Sequence, residues 1–202
     1  MPEPPVSQLS NMIFHPAYQE VVVLADGNRL SLRQIDPADK AKLKSGFLRL
    51  SKMSRYRRFF SYKDELSPAD LQFMTEIDGR DHAALGVFEL DDAGNEHDAV
   101  GVCRYFRSPQ DGATAEFSLA VADDQQAKGI GRLLLQRLLS MAAERGIACF
   151  EGYLLSENEQ MANLIKRVRQ AVRFSREDGL LKASIPTQDN PVLVTNDAKY
   201  LN

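Results

Sequence analysis

One glycine-bearing turn dominates the chemistry this sequence offers: Gln126-Ala-Lys-Gly129-Ile-Gly131-Arg132. It follows a strand-like run from Thr114 to Val121. It precedes a stretch of helical periodicity from about Lys128 to Arg145 that stops at Gly146. Glycines let a backbone approach a ligand closely. The N–H groups of a first helical turn lack intrahelical partners, and the helix dipole favours an anion there. With Lys128 and Arg132 adding positive charge, the turn suits a pyrophosphate. It lacks the Gly-Lys-Ser/Thr ending of a nucleoside-triphosphate loop, and the elements before it do not have the order of a dinucleotide-binding unit. An ordinary strand–helix turn needs only the glycines, so placement rather than pattern carries this reading.

In the strand before the turn, alternation puts Glu116 on one face with Ser118 and Ala120, and Phe117, Leu119 and Val121 on the other. A carboxylate within a sheet is costly unless it has a partner or a task. Two roles stand open: a general base, or an ion pair with Arg104 or Arg107 one strand away. His82, beside Asp81 at the start of an apolar run, could relay a proton or orient Glu116, or be a satisfied polar residue at a strand end. Tyr153 and Ser156 offer hydroxyls as acids, and Asn158 stands at a helix cap. The Arg55-Tyr-Arg-Arg58 cluster could guide an acidic surface or phosphates. The reading taken for its individual arginines is a solvated helix face, with Phe59 and Phe60 as core anchors.

The elements that must position these groups follow from turn and cap signals. Glu20–Leu24 and Arg29–Arg33 flank Asp26-Gly27 as a hairpin. Asp36-Pro37 and Ser67-Pro68-Ala-Asp70 start helices, and Leu43, Phe47 and Leu50 form the buried face of the first. Runs at His82–Leu90, Ala99–Arg107 and Thr114–Val121 make a meander. After the long helix come a strand from Ala148 to Leu155, a helix with Met161, Leu164, Ile165 and Val168 on its apolar face, and a hairpin about Glu177-Asp-Gly179. The fold class is α+β with a mostly antiparallel sheet. One domain over residues 19–186 is expected, with a disordered tail at 1–18 and a polar tail at 187–202.

The 202 residues carry a net charge of -3 and a pI near 5.7, which argues against a nucleic-acid partner. No run of 18 apolar residues is present, so no membrane span is expected. Cys103 and Cys149 lie in apolar surroundings and read as buried free thiols, not as a disulfide or metal pair; no metal is expected. These features together suggest a cytoplasmic protein.

The strand Ala115–Val121 followed by Gln126-x-x-Gly-x-Gly131 resembles the central motif of the GNAT family of N-acetyltransferases. The likeness extends to the acetyltransferase domain of bacterial protein lysine acetyltransferases. It is carried in order by Leu24-Ala-Asp-Gly27, Leu32-Arg33, Ser54-Arg-Tyr-x-Arg-Phe-Phe60, Arg80-Asp-His82, Gly101-Val-x-Arg-Tyr105, Ala115-Glu-Phe117 and Glu157-Asn158. The resemblance implies a twisted sheet of about seven strands flanked by helices, and acetyl-CoA as the acetyl donor. Its acetyl arm would lie along Leu119, Ala120 and Val121, its pyrophosphate over Gln126, Lys128, Gly129, Gly131 and Arg132, and its pantetheine against Asn158. Glu116 becomes the expected base and His82 its expected helper; a thiol's pKa of about 8.5 makes a general acid dispensable. A protein lysine is the expected acceptor, with a small amine, a peptide N-terminus or a non-catalytic CoA-binding role as alternatives. A monomer or homodimer is expected. Two departures stand out. Val168-Arg-Gln170 replaces the family's Leu-Gly-Phe turn, and 202 residues leave no room for the large regulatory domain of the lysine acetyltransferases.

Overall fold

The structure is a computed structural model and describes residues 13–188. Eight strands form one sheet in the order β1-β2-β3-β4-β5-β6-β8-β7. They are β1 Gln19–Val23, β2 Arg29–Gln34, β3 His82–Leu90, β4 Glu96–Arg107, β5 Thr114–Val121, β6 Cys149–Leu155, β7 Arg173–Glu177 and β8 Leu180–Pro186. Every neighbouring pair is antiparallel except β5 with β6, which run parallel. The α+β, mostly antiparallel class read from the sequence is the class observed, with eight strands where about seven were expected.

Alternation along the strands sorts the two faces. Leu85, Val87, Cys103, Tyr105, Ala115 and Phe117 lie in one core with the long helix α4, Ile130–Glu144. Leu134, Leu135, Leu138 and Leu139 of that helix are fully buried, as its amphipathic spacing requires. Ala84, Phe88 and Ala99 face the opposite layer, where helices α1 (Lys40–Leu48), α2 (Lys52–Phe59) and α3 (Pro68–Thr75) pack. The cap signals work as read. Asp36 and Asp39 form one capping box, and Ser67 and Asp70 form another, each with a proline in the first turn. The last helix, α5 (Glu159–Val168), ends in an extended Arg169 that needs no glycine.

Most of the two expected tails, 1–12 and 189–202, lies outside the described residues. The described part of the first is not a tail. Phe14 is buried, Ile13 and Phe14 donate backbone N–H groups to the Glu144 carboxylate, and buried Gln34 and Arg145 donate to the Phe14 carbonyl. The reason is Phe14 itself, a large apolar group that the polar composition around it masks. Thr187 likewise is buried against the Ile147 and Ala148 carbonyls.

Candidate active site

β5 and β6 pair only over Thr114–Glu116 with Cys149–Glu151. Beyond that, β6 continues alongside β8 and the two parallel strands part. The parting opens a cleft of about 850 Å³, flanked by β5 from Glu116 to Val121 and by Gly152 to Leu154 of β6. Gly152 is required here, because a Cβ would collide with the Phe117 ring packed across the fork. The β5 edge toward the cleft is thus unshared with a strand, and backbone groups there are left to meet a ligand.

The glycine turn closes one end of the cleft. Gly129 is the N-cap of α4 at φ 92°, with no side-chain cap, so the first N–H groups of the helix are left open. Gln126 is fixed by its amide donating to the Val121 carbonyl at 3.1 Å and accepting from Gln160 at 3.1 Å. A Cβ on Gly131 would stand 3.2 Å from Leu164, a residue of the same cleft, so glycine keeps the floor low. Gln126, Gly129, Gly131 and Arg132 line the cleft with Leu119, Ala120, Val121 and Asn158. Lys128 is not brought in: it follows a left-handed Ala127 at φ 62°, and its ammonium pairs with Asp26 of the β1–β2 turn at 3.3 Å. On the far side, the Asp123 carboxylate accepts from the Ser51 N–H at 2.8 Å and from the Ser51 and Ser54 hydroxyls at 2.9 Å. That clamp ties the start of α2 to the turn.

Glu116 sits exposed at the other end, on the α1–α3 face of the sheet with Ser118 and Ala120. The ion pairs weighed for it do not form. Arg107 turns to Asp81 at 2.7 Å, and Arg104 donates to the Met74 carbonyl at 3.2 Å and approaches His82 Nε2 at 3.3 Å. Its parallel neighbour Glu151 is engaged by Lys182 at 3.2 Å. Among the described residues Glu116 is therefore a carboxylate turned to the cleft with no cation paired to it, and the Arg58 guanidinium is the positive charge that feels it.

His82 is not brought to Glu116. In register, His82 lies opposite Phe106, and Phe106 lies opposite Glu116. The imidazole stacks among Phe73 and Phe106, at 5.3 and 4.2 Å between centroids. Burial and then Arg104 pull its pKa down to about 4, so it is neutral near pH 7. A phenyl ring stands where a relay would need a proton path. Tyr153 lines the cleft and its hydroxyl donates to Glu177 at 3.2 Å; Ser156 turns to the Gly179 carbonyl at 3.1 Å. Asn158 accepts from the Met161 N–H at 3.3 Å, which is the expected cap of α5.

The family model described as "Acetyltransferase (GNAT) family" matches residues 50–169, more than half of the chain. The chain belongs to the GNAT acetyltransferase family. Among curated relatives it is 28% identical over 147 residues to "Acetyltransferase Pat" of Mycolicibacterium smegmatis, covering 73% of this chain but 43% of that protein. It is 28% identical over 141 residues to "Acetyltransferase PA5475" of Pseudomonas aeruginosa, covering 70% of this chain and 74% of that one. Among solved structures, the GNAT domain of S. lividans PAT superposes with a TM-score of 0.75 at 28% identity, covering 85% of this chain and 98% of that domain. The Salmonella typhimurium yncA structure with acetyl-CoA shares the fold at a TM-score of 0.60 and 18% identity.

Family membership makes the protein an N-acetyltransferase with acetyl-CoA as donor, and the cleft fits that donor. The unshared β5 edge, the uncapped α4 N-terminus and the low glycine floor are what an extended thioester bearing phosphates needs. The GNAT cleft also holds residues whose role the sequence reading set aside. Ser54, Arg57 and Arg58 of α2 line it, whereas Arg55 is spent on the Leu50 and Asp64 carbonyls at 2.9 and 2.8 Å. Phe59 packs against the core as expected, but Phe60 is 41% exposed in a left-handed C-cap at φ 52°. Helical periodicity in this segment held the signal: residues 54, 57 and 58 share a face. Among the described residues, no helix is long and apolar enough to cross a membrane.

Proposed function

We propose that this GNAT protein acetylates lysine side chains of other proteins by direct transfer, with Glu116 as general base. The observation that carries the reading is Glu116 itself: exposed at the cleft, on the face away from α4, and paired to no cation among the described residues. A lysine arrives protonated, with a pKa near 10.4, and must lose a proton before it can attack. Glu116 takes that proton directly or through one water. The nitrogen then bonds to the acetyl carbon, the carbon–sulfur bond breaks, the sulfur leaves with the electron pair, and the second proton shed by the nitrogen ends on the thiolate. Backbone N–H groups along Leu119–Val121 steady the charge that grows on the carbonyl oxygen. Gln126, Gly129, Gly131 and Arg132 hold the diphosphate, and Asn158 fixes the α5 end against the pantetheine arm. Tyr153 is the one hydroxyl of the two considered that reaches the cleft to return a proton to sulfur.

The protein acceptor is supported by the relatives named Pat. The chain spans 43% of the M. smegmatis relative's length, so that protein's whole activity does not transfer with the likeness. Incubation with labelled acetyl-CoA and a bacterial lysate should label discrete proteins, and exhaustive digestion of those proteins with peptidases should release the label as Nε-acetyl-lysine. Label confined to small molecules would replace this reading with acetylation of a small amine.

A further inference from the structure

On the same face of the sheet as Glu116, a side chamber of about 60 Å³ lies between α1, α2 and the β4–β5 pair. A single water needs roughly 10–15 Å³ by this measure, so the chamber has room for about four water-sized groups. It shares Leu50, Arg58, Phe59 and Ala120 with the cleft, so the two are neighbours along one wall. Its lining is apolar apart from two arginines, Arg58 and Arg104.

Among the described residues, neither guanidinium is paired with a carboxylate. Arg104 is 2% exposed and its Nη1 is used by the Met74 carbonyl and His82, yet its Nε has no hydrogen-bond partner. Ser118, directly opposite Arg104 across β4 and β5, has a buried hydroxyl that is also unpartnered. Arg58 makes no ion pair among the described residues; its guanidinium stands 4.8 Å over the Phe59 ring and senses Glu116 only through space. The two cations also repel one another. Burial lowers both pKa values to about 10, which leaves both charged at neutral pH. Arg104 is buried and Arg58 half-buried. Holding two like charges this far out of water without an anion carries a desolvation cost, and buried donors without partners are uncommon in native structures. The α4 N-terminus, where a diphosphate would bind, lies on the opposite face of the sheet.

We propose that Arg58 and Arg104 in the chamber, with the Ser118 hydroxyl on the adjoining wall of the cleft, form a subsite for a carboxylate carried by the acceptor. A carboxylate is planar, fits the small chamber and takes two donors from an arginine fork. His82 gains a role in this arrangement: its neutral ring accepts from Arg104 and sets the direction of the guanidinium. It is a positioning residue for the subsite. The proposal rests on the acetyltransferase reading with Glu116 as base. It adds that the acceptor amine arrives with an acid beside it, either an acidic side chain near a lysine or the carboxylate of a free amino acid.

The test measures kcat/KM for pairs of acceptors that differ only in that charge. One arm walks a single Asp, then its Asn counterpart, through the positions flanking one lysine in end-blocked peptides. The other compares free lysine with lysinamide. The carboxylate should raise kcat/KM by roughly 10- to 100-fold in at least one arm. That advantage should fall below about twofold in Arg58→Met and Arg104→Met, the latter checked for folding because it releases the Met74 carbonyl. Discrimination only in the free amino acid, with unreactive peptides, keeps the subsite and overturns the protein-lysine reading. Ratios near one in both arms, or ratios unchanged in both variants, overturn the subsite. Should neither acceptor class react, NMR titration of CoA-saturated protein with propionate and propionamide decides. Propionate binding that weakens at least tenfold in Arg58→Met supports the subsite, and failure of the wild type to prefer propionate overturns it.

Discussion

Two arginine sites in this fold have opposite surroundings. Arg33 of β2 is held by Asp39 at 2.7 Å and by Glu96 at 2.6 Å, with Lys42 also on Glu96 at 2.7 Å and the Phe88 ring 4.2 Å below the guanidinium. Asp39 is 1% exposed, and its carboxylate meets Arg33 with two parallel hydrogen bonds while also accepting from the Asp36 N–H. Every charge there is answered, and the site locks β2 and β4 to the start of α1. Twenty-five residues on in the chain, Arg58 has no such answer among the described residues, and Arg104 beside it leaves a donor unused. The lesson is that burial of an arginine is not by itself informative. A paired guanidinium is a structural joint; an unpaired one beside a cleft keeps its donors free for an anion from outside.

The comparison breaks most readily at the paired site. Arg33→Met leaves Asp39 buried without its cation and should cost about 3–5 kcal/mol, visible as a lower midpoint in urea at an unchanged m-value. If the midpoint barely moves, the paired site is not the joint described. Acid should weaken the same region. Burial pushes the Glu96 carboxyl up, but hydrogen bonds from Arg33 and Lys42 outweigh it and hold the pKa at about 2, against an ordinary 4.5. The contribution of Glu96 is therefore complete above about pH 4.5 and is lost as pH falls toward 2. Melting curves across that window should steepen in their pH dependence for the wild type and flatten in Glu96→Gln. The smallest effect belongs to the unpaired site: Arg58→Met should leave the thermal midpoint unchanged or slightly raised, because no ion pair is lost and a buried charge is relieved. A clear drop in the midpoint would show that Arg58 is a structural residue after all.

Much of the fold was legible because its signals are local. Capping boxes at Asp36 and Ser67, the glycine turn before α4 and the alternation of β5 each depend on residues within four positions of one another. Glu116 was placed on its correct face by alternation alone. What stayed hidden depends on long-range register. Nothing in residues 114–121 announces that β6 will leave β5 after Glu151, yet that departure makes the cleft. The distance from His82 to Glu116 was invisible for the same reason: the strand between them places Phe106 in the way. The arginines of α2 looked solvated because their run is densely charged, and only the packing of α2 beside β5 turns residues 57 and 58 inward. Phe14 was lost in a polar, proline-bearing context, though a lone large apolar side chain can anchor a chain end.

The central claim is that Glu116 removes the acceptor's proton while separate groups hold the donor. Single-turnover acetyl transfer by Glu116→Gln, measured together with its Kd for CoA, tests it most directly. The account predicts a transfer rate lower by about 10²- to 10⁴-fold at neutral pH, with CoA affinity within a factor of about three of wild type. Transfer at the wild-type rate, or a loss of CoA binding that alone explains the slower turnover, would contradict it.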